Sequence, residues 1–317
     1  MHTHNKTYRN LAIGVSAAIC IAAGLSACNK DNNPPQASQK ADMRYQLPQG
    51  NASFDTEILN FYRTYNTYIL YKFSAVDFNY QFSYNLAQPP NANISSLLGP
   101  AVVRDGDSIA IQAALDFMNQ YWFSFYPEDF KKKYLPQKIL LAALTCTTRY
   151  TAATKVYDTP RVNPITVPIE GVDAITLPKI DTAFNAYPLA SKLLLKAQLN
   201  RIFLKHLMYP MVNTMPVVIP PPTDFFKVSD YTLAGLTKAN RYKYGFDTTA
   251  GANAPSPYTD ILAFLDTICA KPRAQLDAYM FTPKVDSLGL MKRKYDILVN
   301  YFKNYNIDIQ AIGEKQN

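Results

Sequence analysis

Histidine is nearly absent from these 317 residues. There are three, His2, His4 and His206. A zinc hydrolase helix needs two neutral imidazoles four residues apart, and beyond residue 4 this sequence cannot supply them in any register. A Ser-His-Asp triad would have to use His206, and nothing in the sequence points a serine at it. Cysteine is also scarce, with Cys20, Cys28, Cys146 and Cys269. There is no Gly-rich phosphate loop and no G-x-S-x-G elbow. Asp260, Asp266 and Asp277 are not spaced as a calcium loop requires, so they read as solvated helix faces. No internal repeat is visible. The basic runs "KKK" at 131–133 and "KRK" at 292–294 also read as solvated helix faces, which leaves no nucleic-acid groove.

Acid is missing altogether from residues 1–27, which carry Lys6 and Arg9. "LAIGVSAAICIAAG" follows those two cations. At 14 residues it is too short to span a bilayer, which takes about 20, and it reads as the core of an export signal. "LSAC" closes it in the manner of a bacterial lipobox. The expectation is cleavage before Cys28 and acylation of Cys28, a firm membrane anchor at roughly 0.8 kcal/mol per buried CH₂. Residues 28–52 are polar, hold Pro34 and Pro35, and read as a tether. "NKDNN" after the cysteine is similar to the short polar signals that send Bacteroidetes lipoproteins to the cell surface. Without the signal, 30 basic side chains face 24 acidic ones, a formal +6. One histidine remains. Cys146 and Cys269 either pair or stay as two buried thiols, the thiols being favoured in this reading.

The folded part begins near residue 53. "SFDTEILNFYRTY" reads as a helix capped by Ser53 or Asp55, and "TYILYKFS" as an alternating strand. After a polar, proline-containing connection, residues 107–136 read as helical with a break at Pro127. "KILLAALT" is a buried strand, and "PITVPIEGVDAITLPKI" holds short strands or hairpins. Residues 191–209 form a long amphipathic helix stopped by Tyr-Pro. "MPVVIPPPTDFF" is non-helical. "PYTDILAFLDTICAK" and "SLGLMKRKYDILVNYFKNYN" are helices, and "IDIQAIGEKQ" is a terminal turn. The order gives an α+β class, with a small mixed sheet and a helix-rich C-terminal half.

"NFYRTYNTYILYKFSAVDFNY", "YLPQKILLAAL", the helix ending "YP", then "YGF" and the closing "YDILVNYFKNYNIDIQAI" follow one another as in a known family. The chain resembles the zinc-binding metallopeptidase lipoproteins of Bacteroidetes, also described as substrate-import-associated zinc metallohydrolase lipoproteins. The resemblance implies a zincin-like domain over 53–317. In that family the helix before "YP" carries His-Glu-x-x-His. The matching stretch here is "AQLNR", so Ala197 and Arg201 take the histidine places and Gln198 the glutamate place. The stretch that supplies the family's third ligand matches "SPYTDILAFLD". Asp260 survives there, while Thr259 and Ala263 stand where acids are expected.

A glutamine cannot take a proton from a metal-bound water, and Arg201 sets a fixed cation where a dication would bind. The expectation is therefore a degenerate site with no catalytic residue and no cofactor, where the family holds zinc. His206 continues an apolar stripe with Leu199 and Ile202 and reads as a core or edge residue. Gln198, Arg201 and Lys205 share another face. It reads equally as a polar cleft floor for a peptide or glycan and as a helix face with no present role. The resemblance implies an outer-membrane lipoprotein, facing the periplasm or the cell surface. It would be accessory to a nutrient transporter and its substrate-binding lipoprotein. The alternatives are an active hydrolase with an unusual ligand set and a plain structural lipoprotein.

Overall fold

The computed structural model describes residues 45–74, 77–78, 102–105, 108–146, 150–151, 156–157, 165–209, 217–237, 239–247 and 255–317. Contacts divide the chain into Met1–Gln46 and Leu47–Asn317, and the second unit holds every helix and strand among the described residues. The export signal and Cys28 lie outside the described residues. Among those described, no helix is long and apolar enough to cross a membrane.

Helix α1 spans Ser53–Tyr65. Asp55, not Ser53, fixes its start, by accepting the Ala52 N–H at 2.9 Å. Asn66 ends it with φ 54°, a left-handed turn that asparagine tolerates. Strand β1 follows at Tyr68–Leu70, and all three of its residues are buried. The alternation of "TYILYKFS" is thus not realised, because the strand is covered on both faces. Next come β2 (Val102–Asp105), α2 (Ser108–Tyr121), a 3₁₀ turn at Phe123–Phe125 and α3 (Glu128–Tyr134). Pro127 sits at the N-cap of α3, where a missing N–H costs no helical bond.

Strand β3 (Lys138–Cys146) carries the sheet. It pairs in parallel with β1 and with β7 (Ala174–Leu177), and antiparallel with β2. Strand β6 (Ile169–Glu170) adds an antiparallel edge to β7. The path is β1-β3-β7-β6, with β2 on β3, so the sheet is mixed. Ile139 to Ala142 are wholly buried, as an apolar run in a strand with parallel neighbours should be. Strands β4 (Tyr150–Thr151) and β5 (Val156–Tyr157) pair separately.

The C-terminal half is helical. It holds α4 (Leu189–Met208), α5 (Thr223–Phe226), a 3₁₀ turn at Arg241–Tyr244, α6 (Pro257–Ala270), α7 (Arg273–Tyr279), α8 (Leu290–Lys303) and α9 (Ile309–Glu314). The α+β reading holds, with a small sheet followed by helices. One segment needs correction: α5 is a turn of helix inside "MPVVIPPPTDFF". The three prolines precede it, and Pro222 takes its N-cap, so the rule against proline in helix interiors is not broken. Helix α6 starts on a reciprocal cap. Ser256 Oγ accepts the Thr259 N–H at 3.2 Å, and Thr259 Oγ1 accepts the Ser256 N–H at 2.9 Å.

Helix α4 is buried on most of its circumference. Leu199, Phe203, Leu204 and Met208 are fully covered, and Trp122 and Tyr126 set their rings edge-on against Phe203. Asn200 is buried and satisfied. It donates to the Tyr121 and Lys196 carbonyls at 2.8 Å each and accepts from the Tyr126 hydroxyl at 3.0 Å.

Lys196 is also fully buried. Its ammonium donates to the Ile312 carbonyl and, at 2.6 Å, to that of Lys315, so it caps the end of α9. Burial lowers its pKa to about 8 from the free value of 10.5. Between those values the unfolded chain holds the extra proton, so this group makes the fold more stable as pH rises from 8 towards 10.5. Burial has the opposite consequence for Tyr209 and Tyr279, whose pKa values rise to about 12. Their contribution is present below pH 10 and lost between 10 and 12. Urea unfolding of wild type against Lys196→Met should show the gap shifting in favour of wild type from about pH 8 to about pH 10. A gap independent of pH would remove this account.

Candidate functional site

Helices α4 and α6 lie side by side and antiparallel. Tyr209 at the end of α4 meets Tyr258 at the start of α6, edge-on at 5.0 Å. Farther along, Arg201 Nε stands 2.7 Å from Asp266 Oδ1. That nitrogen has no aligned hydrogen-bond acceptor, so charge rather than geometry holds the pair. Burial raises the Asp266 pKa, and Arg201 opposes that rise.

On the other side of the same face, Lys205 donates to Glu170 Oε2 from β6. His206 Nδ1 lies 3.2 Å from Glu170 Oε1. His206 is 9 % exposed and the Glu170 side chain 4 %. The polar face of α4 is thus tied to α6 through Arg201 and to the sheet edge through Lys205. Sequence reasoning misses Glu170, because a lone acid between short apolar strands carries little signal.

Gln198 belongs to the same face and faces open space. With Thr166, Pro178, Tyr187, Ser191 and Leu195 it lines a cleft of about 320 Å³. Leu194 on its wall is 60 % exposed, so the cleft has an apolar rim. Ala197, beside it, is buried.

The positions expected to supply the third ligand are otherwise engaged. Thr259 is spent on the α6 cap, and Ala263 is buried. Asp260 turns towards α8. Its Oδ2 accepts from Lys294 Nζ at 2.5 Å and from the Tyr231 hydroxyl at 2.6 Å. Both charged side chains are fully buried. The Lys294 ammonium lies 4.4 Å from the Phe246 ring centre and 5.0 Å from that of Phe225, with Tyr231 and Phe264 farther out. Ring faces of this kind attract a desolvated cation. Burial pushes the Asp260 pKa up and the Lys294 pKa down, and each opposes the other's shift. Asp260 Oδ1 has no hydrogen-bond partner. Asp260 and Asp266 are six residues apart on α6, about 9 Å of helical rise. The structure therefore brings Arg201 to Asp266 and leaves Asp260 with Lys294.

These donors do not fit zinc. A zinc site takes three or four ligands from His, Cys, Asp and Glu. Among the described residues, no group of three or more of these types is gathered in one place. His206 and Glu170 are adjacent but only two, and Lys205 already sits on the carboxylate. Asp260 and Asp266 each hold a cation of this chain. Cys269 is a buried free thiol, and burial raises its pKa to about 12, which disfavours the thiolate a metal needs.

No family model matches the chain, and no curated protein matches it. A solved structure is similar to it, that of a candidate zinc-binding metallo-peptidase from Bacteroides caccae. The likeness has a TM-score of 0.47 and 15 % identity, covering 84 % of this chain and 92 % of that one.

Proposed function

We propose that this chain is a lipid-anchored binding protein of the bacterial outer membrane, built on a zincin-like frame and without a zinc site. Its role is accessory to a nutrient importer, beside a transporter and a substrate-binding lipoprotein, and Cys28 carries the anchor. The observation that carries the reading is the Arg201–Asp266 pair. A fixed cation, neutralised across the α4–α6 seam, stands at a position where the resembling family has a histidine. Gln198, at the glutamate position, is left to line a cleft with an apolar rim, a surface suited to a peptide or glycan.

One observation favours a second reading. His206 and Glu170 lie 3.2 Å apart and could begin a hydrolase site with an unusual ligand set. The two readings separate in a cleavage assay. Casein and mixed peptide pools, incubated with the full chain with and without added zinc, should remain uncut. Cleavage that requires zinc and disappears in Gln198→Ala or Glu170→Gln would restore the hydrolase.

A further inference from the structure

A second concavity has no α4 residue in its lining. One stripe of α8 forms its floor, and the Pro220–Asp224 segment forms its wall. Its volume is about 870 Å³, within the range of ligand sites. Its chemistry differs from that of the cleft at Gln198, and it shares no residue with it.

Most of the charges in the groove are paired. Lys292 grips both oxygens of Asp296, at 2.8 and 2.6 Å. Asp224 is paired with Lys227 at 2.8 Å, and Arg293 is the remaining cation on the lining. A polyanion needs several uncompensated cations and the lining offers one, Arg293, so nucleic acid or an acidic polymer is a poor fit. An extended peptide is also a poor fit. It binds through main-chain bonds, but three consecutive prolines offer no N–H, and the Pro220 carbonyl already accepts from the Tyr301 hydroxyl. A docked amphipathic helix would need an apolar floor, and along the stripe Ile297 is the sole aliphatic side chain.

What the groove offers is a run of amides and paired charges beside small apolar surfaces. Asn300 and Asn304, one helical turn apart and both exposed, each present donors and an acceptor. The Asp296 carboxylate accepts and the Lys292 ammonium donates. Pro221, Ile297 and Tyr301 supply apolar surface. A ligand that matches carries many hydroxyls, alternates them with C–H faces, and has no net charge.

We infer that the groove between α8 and the Pro220–Asp224 segment is a binding site for a neutral oligosaccharide. Hydroxyl groups pair with Asn300, Asn304 and the Lys292–Asp296 pair, and the C–H faces of the sugar rest on Pro221 and Ile297. The site is separate from the α4 face, so it stands whether or not the reading of that face holds.

Titration calorimetry of the full chain in detergent tests it, with maltohexaose, cellohexaose, xylohexaose and mannohexaose as probes. At least one should bind. Asn300→Ala with Asn304→Ala should weaken that binding about tenfold, as the loss of two modest hydrogen bonds implies. Both positions are exposed, so the fold should survive, and an unchanged thermal midpoint checks this. Lys303→Ala, exposed on α8 but outside the groove's lining, should leave the affinity as it was. Raising salt from about 0.1 to about 1 M should not weaken it, because screening acts on charged partners. Four silent probes would overturn the inference. So would binding that the double variant does not touch, or tighter, salt-sensitive binding of an oligogalacturonate.

Discussion

Replacing Lys294 by methionine should cost about 3–5 kcal/mol of stability, the usual consequence of stranding one member of a buried ion pair. Lys294 and Asp260 are both fully buried, 2.5 Å apart. Without the ammonium, Asp260 keeps one bond from Tyr231 and has an oxygen that already lacks a partner. Its carboxyl, pushed up by burial, then loses the neighbour that opposed the rise. The folded variant therefore binds a proton that the unfolded chain releases above pH 3.8. Its stability is lost as pH rises through the folded value, so the deficit should be larger at about pH 7 than at about pH 4. Asp260→Leu with Lys294→Met should recover most of the loss, since an apolar pair in such a place is often as stable as the ions. Urea unfolding at the two pH values measures all of this. A single-variant loss below about 1 kcal/mol would show that the pair contributes little.

Gly313→Ala should cost nearly as much, at the upper end of the roughly 1–3 kcal/mol typical of overpacking. A Cβ there would stand 2.2 Å from the Ile268 carbonyl oxygen and 2.3 Å from that of Lys271. Both are backbone atoms at the end of α6, and neither can rotate away. Helix α9 would have to lift, which also strains the 3.0 Å bond from Gln310 to the Lys271 carbonyl and the cap from Lys196. Ile309 and Ile312, the fully buried isoleucines of α9, would be uncovered. Hydrogen exchange should report this as lost protection confined to 309–314 and its neighbours. Unchanged protection there would mean that α9 tolerates the methyl group.

The elements that could be read from sequence are those with a strong local signal. The apolar run of β3 and the long periodic α4, closed by Tyr-Pro, sit within two residues of their expected bounds. Strand β2 could not be read. It is four residues long and exists because β3 offers it an edge. Helix α7, seven residues after a proline, is too short to show a period. The site divides in the same way. The missing histidines and the Arg201 cation are visible in the sequence alone. The partners are not, because each is a tertiary choice: Asp266 for Arg201, Glu170 for Lys205 and Lys294 for Asp260. Nothing in "SPYTDILAFLD" indicates that Asp260 points to α8 while Asp266 points to α4.

The most direct test of the account is the zinc content of the purified chain. Elemental analysis after dialysis against a zinc-containing and then a zinc-free buffer should give zinc well below one ion per chain. Arg201→Ala alone should not raise it, because His206 and Glu170 remain two ligands short of a closed site. Near-stoichiometric zinc in wild type, lost on Glu170→Gln or Asp260→Ala, would contradict the account and return a metal to the α4 face.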